Sequence, residues 1–256
     1  MLEVIAIPAL GDNYIWVLRA PDSASAIVVD PGDAEPVLDT IAHQGLDVRA
    51  ILITHHHGDH VGGLAEVSQR WPVPVYGPAS ERIAGVTDTV SGGDRVAIEG
   101  LGTEFVVIDT PGHTSGHIAF HGSGWLLCGD TLFAGGCGRG FEGTHDQMHA
   151  SLQRLAALPD ATHCCCGHEY TLANLAFARA VEPDNAEIAD RLERAQKLRD
   201  ADEPTVPFTL AEERLTNPFL RCHEPAVRAS AEREAGRSLA DDAEVFAVLR
   251  EWKNRF

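Results

Sequence analysis

The segment Thr54-His-His-His-Gly-Asp-His60 restricts this chain more than any other. It follows directly on an apolar run, Ala50–Ile53, with the composition of a buried strand. In an extended segment residues two apart point the same way, so His55 and His57 converge while His56 points elsewhere. The chain then turns at Gly58, and Asp59 and His60 face a second point. Imidazoles and a carboxylate divided between two directions suit a pair of divalent ions, and zinc, iron and manganese all accept such donors. A polyhistidine surface patch explains the histidines but not the aspartate.

Three further segments repeat the arrangement, each just after a strand signal. Thr110-Pro-Gly-His113 follows Glu104–Asp109, Cys128-Gly-Asp130 follows Trp125–Leu127, and Gly167-His168 follows His163–Cys166. Strand ends that deliver His or Asp through glycine-containing turns gather ligands at one sheet edge, and the Asp130 carboxylate is suited to bridge two ions. Asp30-Pro31-Gly32 ends another buried strand. It reads either as a plain turn or as the place where Asp30 orients a ligand histidine. His56 and His117 read as supporting residues, and His43, His121, His145, His149 and His223 as surface residues. The run Cys164–Cys166 has no C-x-x-C companion and reads as small core side chains.

Short apolar strands broken by Gly, Pro and Asp fill the first two-thirds: 2–7, 14–19, 26–29, 50–53, 73–76, 105–108, 118–121 and 125–127. A helix is expected over 35–44, and another from a Thr144 cap to about Pro159. Beyond about residue 169 helical spacing dominates, at 172–181, 186–199, 225–235 and 242–252. The expectation is a metal-binding catalytic domain over 1–168 and a helical domain over 169–256. Twenty basic against 38 acidic side chains give a net charge of −18, which argues against a nucleic-acid partner. No apolar run approaches the ~20 residues of a membrane span. The N-terminus lacks signal-peptide character, and the six cysteines form no disulfide framework, so a cytoplasmic location is expected.

With these residues in place, H-x-H-x-D-H together with His113, Asp130 and His168 resembles the metallo-β-lactamase superfamily, whose α/β fold is a four-layer αββα sandwich. The runs THHHGDH, TPGHTSGH, CGDTLF, GCGRGFEGT, CGHEYT and VFAVLREWKNRF make nearly the whole chain similar to the glyoxalase II (hydroxyacylglutathione hydrolase) family, including the C-terminal helical domain. The resemblance implies two divalent metal ions per chain, zinc foremost, with iron or manganese as alternatives. It places His55, His57 and His113 on the first, Asp59, His60 and His168 on the second, and Asp130 between them. It implies a thioester hydrolase that cleaves S-2-hydroxyacylglutathione, such as S-D-lactoylglutathione, to glutathione and D-lactate, the second step of methylglyoxal detoxification. It further implies attack by a hydroxide that bridges the ions and is oriented by Asp59. Substrate contacts map to Arg139, Gly140, Phe141, His168, Tyr170, Arg250 and Lys253, in a monomer with no nucleic-acid or membrane partner. Two positions depart from the family: Arg139 stands where many relatives carry Lys, and Phe141 where some carry Tyr.

The chemistry is self-consistent. Zinc lowers the pKa of bound water to ~7, and a thiol with a pKa of ~8.5 departs near neutral pH without a general acid. A glutathione conjugate carries net negative charge, so a protein at −18 needs a local basic pocket, for which Arg139, Arg250 and Lys253 are candidates. Arg250 and Lys253, three apart, share one helix face and read equally as a solvated helix end. Another binuclear hydrolase acting on a different thioester, a β-lactam or a phosphodiester is the alternative, and a non-catalytic metal-binding protein a more distant one.

Overall fold

The computed structural model describes residues 2–256. Contacts divide the chain into two compact units, neither continuous in sequence. One comprises residues up to Thr110, Thr114–Gly129 and Cys165–His168, and the other Pro111–His113, Asp130–Cys164 and Glu169–Phe256.

The first unit opens with a six-stranded sheet in sequential order: β1 (Glu3–Ala9), β2 (Asn13–Arg19), β3 (Ser25–Val29), β4 (Asp47–Leu52), β5 (Val75–Pro78) and β6 (Asp88–Val90). β1 to β3 pair antiparallel, and β3 to β6 run parallel. The crossover from β3 to β4 is α1 (Ala34–Gln44), capped by the Asp33 side chain and stopped at Gly45 in the left-handed conformation. Two short helices, α2 (Gly58–Val61) and α3 (Leu64–Arg70), follow β4. Val37 and Ile41 of α1, with Leu64 and Val67 of α3, pack on the face presenting Ile15, Val17, Val28, Ile51 and Ile53.

The alternate residues of β2, Trp16 and Leu18, are also fully buried, so this sheet is covered on both faces. The same unit holds a further sheet, in which β7 (Arg95–Ala97), β8 (Glu104–Asp109), β9 (Ile118–Gly122) and β10 (Trp125–Gly129) form an antiparallel meander. Trp16 Nε1 donates to the carbonyl of Cys166, which lies beside β10, at 2.8 Å. All six cysteines are buried thiols, and Cys164–Cys166 are core side chains as the sequence suggests.

The second unit holds the hairpin β11 (Leu132–Phe133) and β12 (Gly136–Cys137), then α4 (His145–Ala156). Thr144 and Gln147 form a reciprocal capping box at the start of α4. His163 and Cys164, the first half of β13 (His163–Cys166), pair with β14 (Phe208–Thr209). The helices are α5 (Thr171–Val181), α6 (Ala186–Asp200), α7 (Leu210–Thr216), α8 (Pro225–Ala235) and α9 (Asp242–Lys253). No described helix is long and apolar enough to cross a membrane. Against expectation, His121, His145 and His149 are half-buried; the His149 ring lies 5.4 Å from that of Phe246.

The β11–β12 hairpin is tied to the helices by one buried carboxylate. Glu213 of α7 is fully enclosed and accepts from the Gly135 amide at 3.0 Å, from Asn217 Nδ2 at 2.7 Å and from Arg191 at 2.6 Å. Burial pushes its pKa up against the opposing Arg191 charge. Removing the carboxylate takes the nearest counter-charge from a guanidinium that is itself only 4% exposed and leaves it with the Thr216 hydroxyl and the more distant Glu212. Glu213→Ala is expected to cost about 3–5 kcal/mol, lowering Tm by roughly 6–20 °C for a chain of this size. Calorimetry of the variant checks this, and a Tm unchanged from wild type would contradict it.

Candidate metal centre

The ligand motif begins where two parallel strands end side by side. Val29 of β3 is in register with Leu52 of β4, so Asp30 and the histidine segment leave the sheet as neighbours. Asp30 adopts φ +50°, a left-handed conformation that aspartate tolerates. Its buried carboxylate accepts from the Thr54 amide at 2.8 Å and the Thr54 hydroxyl at 2.6 Å, and it holds His60 Nδ1 at 3.0 Å. The turn is also packed without slack: a Cβ on Gly32 would lie 1.7 Å from the Asp59 carbonyl oxygen. Of the two readings of Asp30-Pro31-Gly32, the structure selects the one in which Asp30 fixes a histidine.

His55 and His57 do converge, with His55 Nε2 3.2 Å from His57 Nδ1, while His56 turns away to Glu81. His55 is fully buried and stacks against His117, whose Nδ1 is 2.7 Å from the Thr110 hydroxyl. His117 thus packs behind His55 and engages Thr110.

A trio within the same unit offers one donor atom each from Asp59, His60 and His168, all within 4.8 Å of one another. The end of β13 brings His168 there: Tyr14 donates to the Gly167 carbonyl at 2.8 Å, and Asn13 and His168 form an isolated bridge. Each imidazole has its outer nitrogen on a carboxylate, His60 on Asp30 and His168 Nδ1 on Asp12 at 2.8 Å. Each inner Nε2 faces Asp59 Oδ2, at 3.5 Å for His60 and 3.3 Å for His168. These gaps exceed an ordinary N–H···O bond. They match the ligand–ligand edge of about 3.3 Å in a tetrahedron with metal–donor bonds of ~2.0–2.1 Å. Outer nitrogens anchored by carboxylates are the support that metal-binding histidines ordinarily have.

The Asp59 carboxyl lies well below the usual carboxylate range. The adjacent His168 imidazole lowers it most, partial burial opposes, and Asn13 and the His60 charge lower it further. Asn13 Nδ2 donates to Asp59 Oδ2 at 3.0 Å. Asp12 and Asn13 carry no spacing signal in the sequence. They sit in the first hairpin turn as an ordinary polar pair, and only the β13 connection brings them to the ligands.

The second unit contains His113, Asp130 and the segment from Arg139 to Phe141 as one assembly. His113 Nε2 is 3.4 Å from Asp130 Oδ2, and Nδ1 donates to the Arg139 carbonyl at 2.8 Å. The Phe141 amide in turn donates to the His113 carbonyl at 3.1 Å. Arg139 is exposed, with its guanidinium 5.5 Å from the centre of the Phe141 ring; Gly140 is half-buried and Phe141 exposed. Tyr170, partly exposed, packs its ring edge-on against Phe133.

The terminal pair is not a solvated helix end. Arg250 is 6% exposed and donates to the carbonyls of Cys137 at 2.9 Å and Gly138 at 3.4 Å. Lys253 is half-buried, donates to the Ala173 carbonyl at 3.1 Å and lies over the Phe177 ring. Burial, reinforced by the Arg250 charge, lowers its pKa to about 8.

Comparison with known proteins identifies the family. Residues 9–168 match the family model of the metallo-beta-lactamase superfamily, and residues 169–256 that of the hydroxyacylglutathione hydrolase C-terminus. A hydroxyacylglutathione hydrolase of Alkalilimnicola ehrlichii is 55% identical over the full length of both chains. One from Nitrosomonas europaea is 50% identical, covering all of this chain and 97% of its own. Among solved structures, TTHA1623 in a di-iron-bound form is 25% identical, covering 85% of this chain and 100% of its own at a TM-score of 0.59. With both halves matched and full-length relatives at such identity, the chain belongs to the hydroxyacylglutathione hydrolase family of the metallo-β-lactamase superfamily and has its α/β fold.

Proposed function

We propose that the protein hydrolyses S-2-hydroxyacylglutathione thioesters, S-D-lactoylglutathione foremost, to glutathione and the 2-hydroxy acid. The observation that carries this is the trio Asp59, His60 and His168, spaced for a cation and braced from outside by Asp30 and Asp12. In the family's pattern His55, His57 and His113 would hold a first ion and the trio a second, with the Asp130 carboxylate available to both. Nitrogen and oxygen donors of this kind suit zinc, with iron and manganese as the other occupants. The di-iron relative supports two ions.

Bound divalent cations lower the pKa of water to ~7 and offset the negative charge that develops on the carbonyl oxygen. The residues of the chain do the rest. Asp59, kept ionised by its neighbours, accepts a hydrogen bond from the attacking water and fixes its direction. Arg139 and Lys253 supply positive charge for the glutathione carboxylates, and the Gly140 and Phe141 backbone and the Tyr170 ring line the same tripeptide. Arg250 acts from behind. Its bonds to Cys137 and Gly138 hold the segment that carries Arg139. The leaving thiol departs as thiolate and takes its proton from solvent, so a dedicated acid is unnecessary. Phe141 has no hydroxyl to offer and contributes its backbone and ring. The reading includes a monomer acting in the cytoplasm on methylglyoxal-derived thioester.

Assay of the purified protein on S-D-lactoylglutathione beside a β-lactam and a phosphodiester tests the substrate class. Turnover of the thioester alone is expected, and preferential cleavage of either other ester would contradict it. Asp59→Ala is expected to lose one ion per chain and most of kcat together; full loading with both ions would remove Asp59 from the ligand set.

Lys253 gives a pH prediction. Its pKa of about 8 is below the ordinary lysine value, so the charge that attracts a carboxylate is present below pH 8 and lost as pH rises through it. kcat/KM for the glutathione thioester is therefore expected to fall above about pH 8. In Lys253→Arg, which stays protonated, that fall disappears. A wild-type profile flat to pH 10 would show that the Lys253 charge does not engage the substrate.

A further inference from the structure

We infer that Glu81, a residue outside the ligand motifs, is a positioning residue for the first metal, clamping the two loops that supply its ligands. This rests on the ligand assignment proposed above and adds a component to it. Glu81 follows β5, the parallel neighbour of β4, so its turn leaves the sheet beside the histidine segment. Its amide donates to the Pro78 carbonyl at 3.2 Å, closing that turn. The side chain is only 3% exposed, an unusual degree of burial for a glutamate.

The carboxylate has two arms. Oε2 is 2.9 Å from Nδ1 of His56, the residue between His55 and His57. Oε1 accepts from the Thr114 hydroxyl and, at 3.2 Å, from the Gly116 amide. Thr114 directly follows His113, and Gly116 belongs to the same turn. One carboxylate thereby fixes the residue between two ligands and the residue next to the third. The fit is close on the Gly116 side: a Cβ there would lie 2.5 Å from Glu81 Cγ. A buried acid placed here for its reach orders the His55–His57 segment and the Thr114–Gly116 turn before any ion arrives. This lowers the ordering cost of binding the ion.

Reach and charge separate by substitution. Glu81→Gln keeps the length: its oxygen accepts from Thr114 and Gly116, and its amide donates to His56 in the other tautomer. Glu81→Asp keeps the charge but is shorter by about 1.5 Å and cannot span both arms. Purified wild type and both variants are equilibrated against graded chelator, and the ions per chain are counted by mass spectrometry, with thermal melts as the folding control. Wild type and Glu81→Gln are expected to hold two ions alike. Glu81→Asp is expected to release one at roughly 10–100-fold weaker chelation while retaining the other, the usual cost of losing support around a ligand. A Glu81→Asp protein that holds both ions as tightly as wild type overturns the clamp, as does loss in Glu81→Gln with retention in Glu81→Asp. Wild type that takes up no ion overturns the metal reading itself, and the clamp with it.

Discussion

The site depends on carboxylates that face away from the chemistry. Asp30 collects two hydrogen bonds from Thr54 and one from His60 in a buried setting, joining the ends of β3 and β4 to the first turn of the ligand segment. An imidazole free to rotate is a poor ligand, because binding must then stop its rotation. One whose outer nitrogen rests on a fixed carboxylate presents the other nitrogen in a single direction and with raised basicity. Asp12 does the same for His168, and the Arg139 carbonyl does it for His113. The converging donors are thus set by parallel strands that end together and by acceptors behind each ring.

The same economy joins the candidate ligand His113 to the segment proposed for the substrate. His113 and the segment from Arg139 to Phe141 exchange backbone and ring hydrogen bonds, so the residues proposed for the ion and those proposed for glutathione move as one. Arg250 grips the start of that segment through Cys137 and Gly138, and Glu213 grips the hairpin just before it through Gly135. In a protein with a net charge of −18, basic groups offered to an anionic tripeptide need such placement, since the overall field works against them.

Much of this was legible in the chain. Short apolar runs bounded by Gly, Pro and Asp mark β2, β3, β4, β8, β9 and β10 within a few residues. The Thr144 cap and the helices α5, α6, α8 and α9 followed from their signals. The strands β6, β7, β11, β12 and β14, of two or three residues each, are too short to show a period, and so are α3 and α7 at seven. His55, His57, Asp59 and His60 announce themselves because they are close in sequence. Asp12, Asn13 and Glu81 do not, because each reaches the ligands only through a long-range pairing. Arg250 reads as a surface cation until its carbonyl partners, more than a hundred residues away, are known.

Locating the ions themselves tests the account most directly. Anomalous diffraction from crystals of the purified, thioester-cleaving protein, recorded at the zinc, iron and manganese edges, is expected to give two peaks per chain. One is expected at ~2.0–2.2 Å from His60 Nε2, His168 Nε2 and an Asp59 oxygen. A single peak, or peaks that avoid these atoms, in protein that still cleaves the thioester would contradict it.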